Sequence, residues 1–173
     1  GEGMVLLRNK NHTLPIELSA SKRPTILVVG ENAIKMMTVG GGSSSLKAKY
    51  EISPLRGIQE RAGNMANVQY VRGYVGDVGG EYNGVTTGQS LQDDRTPEQL
   101  TAEAVEAAKK ADYVIFVGGM NKAHHQDCED GDRLHYELPY GQDQLISALA
   151  AVNNRVIFVS VSGNAHGMPW VNE

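Results

Sequence analysis

Cysteine is nearly absent. Cys128 stands alone in 173 residues, which excludes an internal disulfide and any zinc site built on paired cysteines. Positive charge is not in excess either: a formal net charge of -4 gives no global attraction to nucleic acid or to an anionic membrane surface. No apolar run approaches the roughly 20 residues that a membrane-spanning helix needs. Gly1 to Asn9 lacks the basic stretch and long apolar core of a signal peptide. Processing removes such segments, so compartment stays open. No internal repeat or low-complexity tract occurs, and the sequon Asn11-His12-Thr13 is a triplet that arises often by chance. What is present is ordinary. With 40 % apolar and 21 % charged residues, the 173-residue chain has the make-up of a soluble globular protein and is long enough for one domain with a real core.

Three compact apolar runs predict strands: Thr25 to Gly30 (TILVVG), Asp112 to Gly118 (DYVIFVG) and Arg155 to Val161 (RVIFVSV). They are rich in β-branched residues and barely alternate, as strands covered on both faces do. Asn67 to Val71 (NVQYV) is a shorter fourth. Helical patterns lie between them. Ser53-Pro54 opens Leu55 to Ala62, Thr96-Pro97 opens Glu98 to Lys110, and a third helix runs from about Gly141 to Val152. Tyr74 to Arg95, rich in Gly, Asp and Thr, reads as a long loop. Strands alternating with helices imply a mostly parallel sheet flanked by helices, a three-layer αβα sandwich of the α/β class. Ligands of such sheets sit beyond the carboxyl ends of the strands, which directs attention to the loops 31–45, 119–139 and 162–170. Both ends of the chain look cut, as in a piece of something larger.

The loop after the second clear strand is the densest in chemistry. Glu129, Asp130, Asp132 and Arg133 fall within five residues. A carboxyl group near other carboxylates and partly desolvated has its pKa raised, which suits general acid work. Arg133 would fix a neighbouring carboxylate by a bidentate contact. The bland alternative is a solvated polar loop. His124, His125, Asp127, Cys128 and Glu129 suggest metal ligands, but adjacent histidines diverge and no helical i, i+4 pair occurs. Gly40 to Ser45 (GGGSSS) is a poor phosphate cradle, because it follows the first strand at a distance and no Lys-Ser/Thr completes it. It reads as a flexible loop or as backbone and hydroxyl donors lining a polar pocket. Ser162 with His166 lacks the strained nucleophile turn of serine hydrolases, and the lone Trp170 is read as a packing residue.

In this order the pieces resemble the carboxyl-terminal domain of glycoside hydrolase family 3, the β-glucosidase and β-xylosidase family. The stretches that carry the resemblance are GMVLLRN (3–9) with Leu14-Pro15, TILVVGENA (25–33), GGGSS (40–44) and SPLRGI (53–58). EDGDR (129–133), Leu138-Pro139 with QDQLI (142–146), and Ser162-Gly163 through Met168-Pro169-Trp170 complete the set. The resemblance implies one sandwich domain over 1–173, without the preceding barrel that carries the nucleophilic aspartate and without the family's closing segment. It implies that Glu129 is the acid/base of a retaining β-glycosidase, with Asp130 the alternative in a register shifted by one. His124, His125, Asp132 and Arg133, with Gly41 and Ser43 from the glycine-serine turn, would line the substrate. That chemistry calls for no cofactor and no metal. The implied partners are an oligosaccharide or aryl β-glycoside and the barrel of the same polypeptide, with no nucleic acid and no membrane, and the implied setting is periplasmic or secreted. The rivals are a non-catalytic carbohydrate-binding or scaffolding module of the same fold, and a nucleotide-binding α/β domain.

Overall fold

A computed structural model of the chain describes residues 3–38, 42–44, 46, 48–76, 81–82, 85–86, 89–123, 125–129 and 131–172. Among them are strands β1 (Thr25–Val29), β2 (Asn67–Val71), β3 (Glu81–Tyr82), β4 (Val85–Thr86), β5 (Tyr113–Gly119) and β6 (Val156–Val161). The helices are α1 (Pro54–Ala62), α2 (Pro97–Ala108) and α3 (Gln142–Ala150). Four strands form one parallel sheet in the order β2-β1-β5-β6, with Val28 opposite Tyr70 and Ile115, and Phe116 opposite Phe158. No helix among the described residues is long and apolar enough to cross a membrane.

The near-continuous apolar strands are explained by cover on both faces. Ile26, Val28, Ile115 and Val117 point to one side, where Leu55, Ile58 and Ala62 of α1 pack with Ile16 and Leu18. Leu27, Val29, Val114 and Phe116 point to the other, against Ala104 and Ala108 of α2 and Leu145, Ile146 and Leu149 of α3. This is the expected αβα sandwich. Helix starts follow the expected chemistry as well. Ser53 Oγ accepts from Arg56 N at 3.3 Å, and Thr96 forms a reciprocal capping box with Gln99. Trp170 packs edge-on to Phe158 with centroids 4.8 Å apart, and its Nε1 donates to Asp143 at 2.7 Å, as a packing residue should.

The region expected to be one long loop, 74–95, contains the antiparallel pair β3–β4. Strands of two residues are too short for periodicity to reveal. Ahead of α2, Asp93 and Arg95 form an ion pair at 2.6 Å.

The topology sets the site. From β1 the chain crosses to β2 on one side, and from β5 it crosses to β6 on the other. Neighbouring strands whose connections diverge leave a crevice at their carboxyl ends, the usual ligand position of open α/β sheets. The close approach there depends on glycine. A Cβ on Gly30 would lie 2.1 Å from the Val117 carbonyl oxygen, and the residue has φ +123°, a conformation open to glycine.

Candidate active site

Below the crevice lies a cluster of buried polar groups bound to one another, with Arg72 Nε buried outside any hydrogen bond among the described residues. Glu31, fully buried at the end of β1, receives Lys35 Nζ at 3.1 Å on one oxygen. Its other oxygen takes Arg72 at 2.9 Å and the Gly76 N–H at 2.6 Å. Arg72 also donates to the Leu91 carbonyl at 2.8 Å, so this cluster ties the ends of β1 and β2 to the segment ahead of α2. Asn32 donates to the Met120 carbonyl at 2.9 Å and joins the β1 loop to the β5 loop. Tyr74 stacks on Phe116 and Tyr140. Burial pushes its phenol well above the ordinary value, so it stays a neutral hydroxyl.

The β5 loop is braced from inside and from β6. Asn121 accepts from Ala123 N at 2.7 Å on its side chain and from Asp127 N at 3.0 Å on its carbonyl. The Asn121 amide and Gln126 both donate to the Tyr140 hydroxyl. The Asp127 carboxylate accepts from Gly163 N and from Asn164 Nδ2 at 2.8 Å. At the root of the loop, fully buried Gln142 pairs its side-chain amide with both backbone groups of Gly119, at 2.9 Å each. Gly118 makes room for this: a Cβ there would lie 2.3 Å from Gln142 Oε1.

Glu129 stands exposed on this loop, and the glycine-serine turn of the β1 loop meets it. Ser43 N donates to Glu129 Oε2 at 2.9 Å, and Ser43 Oγ lies 3.0 and 2.9 Å from the two carboxylate oxygens. Ser43 and Glu129 are therefore brought together across the β1–β5 crevice. Asp132 and His125 are also joined, through the backbone: His125 Nδ1 lies 2.8 Å from the Asp132 carbonyl. A carbonyl only accepts, so this bond assigns the proton to Nδ1 and leaves Nε2 the acceptor in the neutral ring.

Arg133 departs from expectation. Its terminal nitrogens donate to the Asn164 side chain and to the carbonyls of Ala165, His135 and Tyr136 rather than to a carboxylate. A planar fork of donors suits clustered carbonyls as well as it suits a carboxylate. An open cleft of about 700 Å³ lies alongside, lined by Lys122, Asp127, Cys128, Asp132, Arg133 and Tyr136 among others. Glu129, His125 and Ser43 are not part of its lining. Gly41, His124 and Asp130 lie outside the described residues. His166 pairs with Ser160, at 2.7 Å from its Oγ, and not with Ser162.

The supporting residues Asn121, Gln142, Tyr140 and the Glu31 cluster were not singled out from the sequence. The one local signal for them is polar residues (Glu31-Asn32, Asn121) directly following strongly apolar strands.

The sequence profile of the Glycosyl hydrolase family 3 C-terminal domain matches residues 4–173. The chain belongs to this family. Among curated relatives of this family 3 domain, Beta-glucosidase BoGH3A of Bacteroides ovatus is 44 % identical over 99 % of this chain and 22 % of its own length. The periplasmic beta-glucosidase of Salmonella typhimurium is 33 % identical over 94 % of this chain and 21 % of its own. The crystal structure of the Bifidobacterium adolescentis GH3 beta-glucosidase superposes with a TM-score of 0.70 at 29 % identity, over 96 % of this chain and 21 % of that one. The family 3 domain described here thus spans about a fifth of the length of these relatives.

Proposed function

We propose that this family 3 domain supplies Glu129 as the general acid/base of a retaining β-glycosidase whose nucleophile lies outside these 173 residues, in a barrel domain of the same polypeptide. The observation that carries the reading is an exposed carboxylate on the β5 loop, at the crevice between β1 and β5, held by two donors of Ser43. Names of the relatives, beta-glucosidases of which one is periplasmic, support β-glucosides as the substrate class and an extracytoplasmic setting.

The chemistry follows from two carboxyl groups about 5–5.5 Å apart in the assembled enzyme. Glu129 protonates the departing glycosidic oxygen while the nucleophile attacks the anomeric carbon. It then takes a proton from the water that releases the sugar. His125, oriented by its Nδ1 bond to the Asp132 carbonyl, is the imidazole of this loop that would contact the sugar. Asp132 and Arg133, which line the neighbouring cleft, would receive the leaving group, and Gly41, Ser43 and His124 stand in the same reading as further substrate contacts.

The test is hydrolysis of aryl β-glucosides by the barrel-bearing enzyme, wild type against Glu129→Gln and Asp130→Asn. Glu129→Gln should lose roughly 10²- to 10⁴-fold on substrates with poor leaving groups, and azide should restore turnover. Unchanged rates in Glu129→Gln would reject the reading. A collapse confined to Asp130→Asn would move the role by one residue, and loss in neither would leave the domain as scaffold.

A further inference from the structure

Ser43 is the contact that neither the chemistry of glycoside cleavage nor the fold by itself requires. Its backbone N–H and hydroxyl both reach one carboxylate, from a loop that leaves a different strand. The bond spans 86 residues of sequence, so it joins the two walls of the crevice and does not belong to a local turn. Ser43 itself is exposed, and its hydroxyl plays no part in the core.

We infer that Ser43 is a positioning residue for Glu129, a latch that holds the carboxylate in place between its two proton transfers. The inference rests on the acid/base reading above. The two donors of Ser43 differ in what they do. The N–H donates to Oε2 whether the carboxyl group is ionised or not, so it fixes orientation. The hydroxyl is reversible: it donates to the ionised carboxylate and accepts from the protonated acid.

In the acid form the Glu129 proton can therefore be given to Ser43 Oγ or to the glycosidic oxygen. The glycosidic oxygen gains basicity as its bond to the anomeric carbon breaks, and the proton passes to it. The Ser43 hydroxyl then turns to donate to the carboxylate left behind, which holds Glu129 as a base until water delivers the next proton. Other titratable groups of these loops hold bonds of their own. Glu51 accepts from Thr38, Asp127 from Gly163 and Asn164, and His125 Nδ1 gives to the Asp132 carbonyl.

Ser43→Ala deletes the hydroxyl and leaves the N–H bond, so it removes the part of the latch that follows the proton. Proton delivery matters most when the leaving group is poor, so kcat/KM of Ser43→Ala in the barrel-bearing enzyme should fall about 10-fold on alkyl β-glucosides and less than about 2-fold on dinitrophenyl β-glucoside. Ser43→Thr keeps the hydroxyl and should restore the wild-type ratio of the two substrates. A purely structural role would lower kcat/KM on both alike. An unchanged ratio in Ser43→Ala, with Glu129→Gln collapsing on the alkyl substrates, overturns the inference. If Glu129→Gln itself retains full activity, the acid/base reading fails instead.

Discussion

Replacing Gln142 by methionine probes how the root of the β5 loop is held. Methionine keeps the length and volume of glutamine and suits an apolar cavity, so packing is nearly conserved. What it removes is the pair of bonds to Gly119, one to its N–H and one to its carbonyl, both 2.9 Å and both buried. A buried backbone group left without a partner costs about 1–3 kcal/mol, so the two together cost about 2–6 kcal/mol before relaxation. Allowing the loop to adjust, we expect a loss of about 2–4 kcal/mol out of a total stability of order 5–15 kcal/mol. With a urea slope of about 2 kcal/mol per molar, the unfolding midpoint should fall by about 1–2 M at unchanged slope. Gln142→Glu supplies a control with the opposite pH sense. The ionised side chain sets an acceptor against the Gly119 carbonyl, whereas the protonated form has a donor for it. The deficit of that variant should therefore shrink as pH falls. A Gln142→Met midpoint within 0.3 M of wild type (about 0.6 kcal/mol at that slope) would refute the reasoning.

Two other perturbations test the described network. Glu31→Ala leaves Lys35 and Arg72 buried without the carboxylate that joins them, and should cost about 3–5 kcal/mol, read as a fall in Tm of the order of 10 °C; a fall below 2 °C would contradict a structural role for the cluster. Asp93, whose carboxyl is held at about 2 chiefly by its bond to Arg95, has a folded pKa below its unfolded one. Its contribution is therefore present above about pH 4 and is lost as pH falls toward 2. Asp93→Asn should flatten that part of the acid limb in a thermal-unfolding series, and an identical limb would count against the pairing.

The sheet and its helices were readable because their causes are local. β-branched runs such as TILVVG and DYVIFVG announce strands covered on both faces, and Ser53-Pro54 and Thr96-Pro97 announce helix starts. Trp170 was assigned to packing on the same footing. The supporting polar structure was not readable, because charge in a sequence predicts exposure. Glu31, Lys35 and Arg72 are buried only because the ends of β1 and β2 bring them together with Gly76. Arg133 could be read as a cation but not as the hub of four loop acceptors, since three of those are backbone carbonyls with no signature of their own. The meeting of Ser43 with Glu129 depends on which strands are neighbours, and strand order is not written in either loop.

That dependence bears on how the domain folds. Bringing two points 86 residues apart into contact would carry a loop-closure cost if the bond had to form by itself. Pairing β1 with β5, Val28 beside Ile115, closes the same loop, so the serine and the carboxylate share its cost with the sheet. The contact then adds only the local ordering of two exposed turns, and it can open and re-form without disturbing the sheet. Amide exchange at Ser43 should accordingly run far ahead of exchange in β1 and β5. On this reasoning the serine–carboxylate contact should form after the sheet and open before it, at the surface of a framework that stays closed.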